Sequence, residues 1–101
     1  MQHIDSAENF PEESWEKIIA LNLSSNFYTT KYCLSQMKQR SWGRIINISS
    51  VHGLVASVNK SAYVAAKHGV IGFTKAVALE TAKTGVTCNA ICPGWVLTPL
   101  I

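Results

Sequence analysis

Charge is scarce in this chain: only 15% of its 101 residues are charged, and no run of Lys or Arg gathers the nine basic side chains together. A net charge of +3 spread this thinly offers no electrostatic footprint for nucleic acid or an anionic membrane. Cysteine is also scarce. Cys33, Cys88 and Cys92 are odd in number and form no CxxC pair, which argues against a disulfide framework and a zinc site. They read as small apolar side chains kept reduced, as in the cytoplasm. No basic segment followed by an apolar run opens the sequence, so no signal peptide is expected. The longest uncharged stretch, residues 84–101, is broken by Asn89, Pro93, Gly94 and Pro99 and is unsuited to spanning a bilayer. With 48% hydrophobic residues the composition is that of one small, soluble, intracellular globular unit.

Four elements are legible. Phe10-Pro11-Glu12-Glu13 marks a helix start, with proline at the first turn and acids at the positive end of the helix dipole. From there to about Arg40, Trp15, Ile18, Ile19, Leu23 and Phe27 recur at helical spacing, continued by Tyr28, Tyr32, Cys33 and Met37. Asn22 and Asn26 interrupt that stripe, and an asparagine inside a buried helix needs partners for its amide. Gly43 is read as the helix terminator. Residues 44–48, Arg-Ile-Ile-Asn-Ile, then read as a strand buried on both faces, as in parallel sheets.

Residues 49–59 form a loop rich in Ser, Gly and Asn, followed by a second long helix over residues 61–83. This helix is rich in small residues (Ala62, Ala65, Ala66, Gly69, Gly72, Ala76, Ala78), which suits close approach by a partner helix or a second copy. Gly85 closes it, residues 86–92 read as another strand, and Pro93-Gly94 breaks that strand. The order predicts an α/β fold with a βαβ unit and a parallel sheet, in which ligands sit beyond the carboxyl ends of the strands.

Tyr63 and Lys67 stand four apart on the second helix and share a face. A phenol is a poor base at neutral pH, and a nearby ammonium favours its anion. Tyr-x-x-x-Lys alone also describes an ordinary surface pair. The context adds weight: Ser50 lies at the end of a buried strand thirteen residues before Tyr63, where its hydroxyl could hold a substrate oxygen.

Asn22 in "LNLS", "GRIINISS", "YVAAK" and "NAICPGW" together resemble, in order and spacing, the short-chain dehydrogenase/reductase family. The resemblance covers essentially all of residues 1–101 and implies a Rossmann-type, doubly wound parallel sheet of which only the central and C-terminal part is present. It implies a catalytic tetrad of Asn22, Ser50, Tyr63 and Lys67. Tyr63 would exchange the proton with the alcohol or carbonyl oxygen, and Ser50 would orient that oxygen. Lys67 would bind the nicotinamide ribose and assist Tyr63, and Asn22 would hold a water in a proton relay through a helix distortion. Pro93, Gly94, Val96 and Thr98 fall where the family contacts nicotinamide. Homodimers or homotetramers through the two long helices are likewise implied.

The stretch "SVHGLVASVNKSAYVAAKHGV", with "ALETA" and "NAICPGWVLTPL", narrows the resemblance to members acting on a short hydroxy or keto acid with NAD. Its carboxylate would be held by His52 and Lys60, with an amide from Gln2. Trp95 is either an apolar cap over a strand end or part of the pocket closure. The family's glycine-rich dinucleotide turn and its Asn-Asn-Ala-Gly element do not occur in these residues, nor does its lid loop. The chain is therefore expected to be a partial domain, inactive by itself, with NADP not excluded. Other short-chain reductases, acting on carrier-linked 3-oxoacyl groups or sugars, and a non-catalytic association unit remain alternatives.

Overall fold

The computed structural model describes residues 3–94. The first helix, α1 (Glu12–Ile19), starts as expected: Pro11 stands before it with φ −64°, and Glu12 and Glu13 occupy its first turn. The single helix expected as far as Arg40 is instead interrupted. Residues Ala20–Ser24 form a π turn, in which the Ser25 amide donates to the Ala20 carbonyl five residues back, and α2 (Ser25–Gln39) follows. Asn22 sits at the centre of the wide turn. Its side-chain amide donates to the Ile18 carbonyl at 3.1 Å, and that of Asn26 donates to the Asn22 carbonyl at 3.3 Å. The two amides thus serve carbonyls where the regular i→i−4 ladder is broken.

An extra residue in a turn rotates everything after it by about 100°. The inward face of α2 accordingly runs through Asn26, Thr30, Leu34 and Met37, while Tyr28, Tyr32 and Cys33 point outward. The stripe read from the sequence therefore does not continue through them.

The end of α2 also differs from expectation. Ser41 takes the left-handed conformation (φ 54°), the Trp42 amide donates to the Met37 carbonyl and the Ser41 amide to that of Lys38. This is a Schellman stop with serine in the usual glycine position. Gly43 is the first residue of β1 (Gly43–Ile48), not the terminator. Helix α3 (Ser61–Glu80) ends three residues earlier than expected, in a turn where the buried Thr81 hydroxyl donates to the Val77 carbonyl at 2.8 Å. Strand β2 (Val86–Ile91) closes the described order.

The two strands pair in parallel, Gly43 with Val86 through Ile48 with Ile91, as the βαβ expectation requires. The described helices stand on one side of this sheet. Gly43, Ile45, Asn47, Val86, Cys88 and Ala90 face them, while Arg44, Ile46, Ile48, Thr87, Asn89 and Ile91 are exposed. The expectation of a strand buried on both faces is thus corrected, since Ile46 is 60% exposed with no described element across that face.

Ile18, Ala62, Ala66 and Val70 form the completely buried centre between α1, α3 and the sheet. Burying each of its larger side chains contributes about 1.5–3 kcal/mol. One polar connection crosses this core: the Asn47 amide donates to the Thr74 hydroxyl at 2.9 Å, which donates in turn to the Val70 carbonyl at 2.7 Å. Cys88 lies beside Asn47, and burial pushes its thiol pKa up. No described helix is long and apolar enough to cross a membrane.

Gly85 fixes the start of the sheet. Its φ is +77°, a Cβ there would collide with the Ser41 carbonyl, and its own carbonyl accepts from the Arg44 guanidinium at 3.0 Å. Gly72, in contrast, lies mid-helix with none of the described residues within 4 Å of a Cβ placed on it.

In urea unfolding, Gly85→Ala is expected to lower stability by about 2–3 kcal/mol, and Gly72→Ala to raise it by about 0.5–1 kcal/mol. Iodoacetamide is expected to modify the exposed Cys33 well before Cys88, whose buried thiol carries little thiolate. Mass spectrometry of timed samples measures that order.

Candidate active site

Parallel pairing sends the ends of β1 and β2 out at the same edge, and the site is assembled there. The Ser49 amide donates to the Ile91 carbonyl at 2.7 Å, and the Val51 amide to the Pro93 carbonyl at 2.9 Å. The strand pairing therefore continues into the two loops. Residues Val51–Gly53 form a single 3-10 turn with Ser50 as its cap, the Ser50 hydroxyl oxygen accepting from the His52 amide at 2.8 Å. Because that oxygen's lone pair takes the amide proton, the hydroxyl's own proton is left to donate elsewhere.

Helix α3 supplies the other side. Lys60, its cap residue, Tyr63 and Lys67 fall at i, i+3 and i+7 and so follow one face of its first two turns. Lys67 is 9% exposed, with its ammonium 5.5 Å from the centre of the Tyr63 ring. That distance permits a cation–π attraction. The His52 ring meets the Tyr63 ring edge-on, centroids 5.5 Å apart at 78°. His52 thus connects the two halves, with its backbone on Ser50 and its ring on Tyr63. Its Nε2 lies 2.7 Å from the Ser57 hydroxyl.

Lys60 is positioned through its backbone. It forms a parallel bridge with Asp5, and the Asp5 amide donates to the Asn59 carbonyl at 2.9 Å. Asn59 adopts φ 62°, a conformation asparagine tolerates better than most residues. Asn22 lies in the π turn that packs on α3, with Leu23 against Gly69. Pro93 and Gly94 are exposed beside the Val51 turn, and among the described residues a Cβ on Gly94 would have only Val51 within 4 Å. Gln2, Trp95, Val96 and Thr98 lie outside the described residues.

Three further residues hold this arrangement and were not singled out in the sequence. The buried Ser49 hydroxyl donates to the Lys67 carbonyl at 2.9 Å, tying the strand end to the helix. Gly53 lies so close to α3 that a Cβ would stand 2.5 Å from Ser49 Oγ and 3.0 Å from the Lys67 carbonyl. Ser57 is the third. The Ser49-Ser50 doublet at a strand end was the available signal for the first, since consecutive strand residues face opposite ways and serve different partners.

Among the described residues no group of His, Cys, Asp or Glu is arranged to hold a metal ion. A phenol and an ammonium stand close together at the carboxyl edge of a parallel sheet, both able to donate hydrogen bonds.

Residues 1–101 match the family described as short chain dehydrogenase. The chain is 67% identical over all 101 residues to D-beta-hydroxybutyrate dehydrogenase of Cupriavidus necator. It is 61% identical to the protein of that name from Rhizobium meliloti, and it spans 39% of the length of each of these relatives. It is also 47% identical over 91 residues to a putative ketoacyl reductase of Streptomyces coelicolor, covering 88% of this chain and 35% of that one.

Gly53→Ala is expected to cost about 1–3 kcal/mol of stability, because the Ser49 hydroxyl and the Lys67 carbonyl must both retreat. Chemical denaturation would measure the loss. Reduced near-ultraviolet circular dichroism from Tyr63 would report the displaced turn.

Proposed function

Because this chain belongs to the short-chain dehydrogenase family, we propose that its 101 residues are the catalytic portion of an NAD-dependent dehydrogenase interconverting (R)-3-hydroxybutyrate and acetoacetate. The observation that carries this reading is the meeting of Ser50, His52, Tyr63 and Lys67 at the carboxyl edge of the parallel sheet. The 67% identity to a D-beta-hydroxybutyrate dehydrogenase supports the choice of substrate.

In this reading Tyr63 takes the proton from the C3 hydroxyl during oxidation and returns it to the carbonyl oxygen during reduction. The Ser50 hydroxyl, its oxygen already engaged by the His52 amide, directs its proton at the substrate oxygen. Lys67 stabilises negative charge developing on the phenol oxygen and, with Tyr63, holds the nicotinamide ribose. NAD, when bound, supplies the hydride acceptor. Pro93, Gly94, Val96 and Thr98 line the nicotinamide side. Asn22 anchors a proton relay toward Lys67, and the π turn centred on it supports that assignment.

Lys60, His52 and Gln2 bind the substrate carboxylate, and Trp95 closes the pocket. Lys60 follows the same helix face as Tyr63, three residues earlier. The full-length protein is proposed to act in the cytoplasm as a homodimer or homotetramer. Its α2–α3 layer would form the contact, since Ala65, Gly72 and Ala76 leave a small, exposed face on α3.

A second reading, reduction of a carrier-linked ketoacyl group, is favoured by the 47% identity to the putative ketoacyl reductase. The two readings differ at Lys60, because a thioester presents no carboxylate there.

With the full-length protein, Tyr63→Phe is expected to lower kcat by about 10²–10⁴-fold while leaving the fold intact. Lys60→Ala is expected to raise KM for 3-hydroxybutyrate by about 10–100-fold through loss of a charged hydrogen bond. Steady-state NADH absorbance measures both. An unchanged KM in Lys60→Ala would remove the carboxylate assignment and favour the ketoacyl reading.

A further inference from the structure

The loop between the 3-10 turn and α3 is exposed along its length, with Leu54 64% and Val58 84% accessible. No apolar packing therefore determines its course. What crosses it is polar. The Ser57 hydroxyl meets His52 Nε2 at 2.7 Å, five residues back, and beyond Ser57 the loop is pinned where the Asn59 carbonyl accepts from the Asp5 amide.

The imidazole has few other restraints. Its ring packs edge-on against Tyr63, and the His52 backbone is held at Ser50. An edge contact of this kind contributes about 0.5–1.5 kcal/mol and sets no ring tautomer. A hydrogen bond at Nε2 restrains the ring's rotation, because the Ser57 hydroxyl can pair with that nitrogen whether it donates or accepts.

We infer that Ser57 is a positioning residue for substrate recognition: its hydroxyl locks the His52 imidazole in the rotamer that presents its other ring nitrogen to the substrate carboxylate. The inference rests on the reading of His52 as a carboxylate ligand. Ser57 itself touches neither Tyr63 nor Lys67 among the hydrogen bonds and ring contacts of the site, so it acts on binding and not on proton transfer.

The test uses the full-length protein with Ser57→Ala and Ser57→Thr, assayed with 3-hydroxybutyrate and NAD. Ser57→Ala should raise KM for 3-hydroxybutyrate about tenfold with kcat changed less than about twofold, and Ser57→Thr, which keeps the hydroxyl, should restore KM. In samples carrying 15N-histidine, the His52 ring-nitrogen signals should shift in the alanine variant and return in the threonine variant. An unchanged KM in Ser57→Ala would overturn the inference. So would a fall in kcat at constant KM, or a failure of threonine to rescue, since either marks general disruption of the loop. Absence of turnover by the unaltered protein with 3-hydroxybutyrate would instead overturn the parent reading, and this inference with it.

Discussion

The parallel register of β1 and β2 is the constraint from which the site follows. At the amino ends it is set by a crowded meeting of turns. Gly85 passes against the Ser41 carbonyl in a conformation few other residues adopt, and the Arg44 guanidinium reaches both the Gly43 and Gly85 carbonyls. At the carboxyl ends it continues through Ser49 to Ile91 and Val51 to Pro93. A slip of one residue would exchange the faces of every side chain on a strand. Asn47 would then leave Thr74 for solvent, and Ser49 and Ser50 would trade faces, so that the serine anchored on Lys67 and the serine capping the Val51 turn would each lose its partner.

A second connection converts register into site geometry. Ser49 reaches the backbone of Lys67, and the near contact of Gly53 with the same carbonyl leaves that joint no slack. Tyr63 lies one turn earlier on the same helix, so its distance from the strand end is set by backbone elements and not by flexible side chains. Groups mounted on rigid elements hold a productive geometry better than groups on loops. The loop between them is exposed, the setting in which variation is least costly.

The order of elements and the α/β class could be read from hydrophobic spacing, and the YVAAK segment placed Tyr63 and Lys67 on one helix face. Asn22 was visible as a polar break, because an asparagine in an apolar stripe conflicts with its neighbours. Three things were not legible. The Schellman stop at Ser41 was missed because serine there carries no mark of φ > 0, whereas Gly43 two residues on attracted the assignment. The open face of the sheet was missed because a run of Ile gives the same pattern whether its second face is covered or exposed. The roles of Ser49, Gly53 and Ser57 depend on distances across as many as eighteen residues, which local spacing does not encode.

The π turn shows why the polar break persists. None of the residues in Ala20–Ser24 is buried, so this turn contributes little hydrophobic stabilisation of its own. Asparagine in a helix interior is less favourable than alanine by about 0.7 kcal/mol, and the turn also gives up regular ladder bonds. The Asn22 amide, and that of Asn26 in the first turn of α2, recover part of that by donating to the Ile18 and Asn22 carbonyls. The remainder comes from docking: Leu23 lies against Gly69, where a Cβ would stand 2.8 Å from its methyl group. This close approach sets the depth at which the irregular turn meets α3. An alanine at position 69 would move the turn outward. A leucine at position 22 would remove the donor to Ile18 and favour a straight helix in its place. The pairing of a wide turn with a glycine therefore fixes where the distortion sits against α3, and a straight helix would satisfy its own backbone but carry no polar break to that surface.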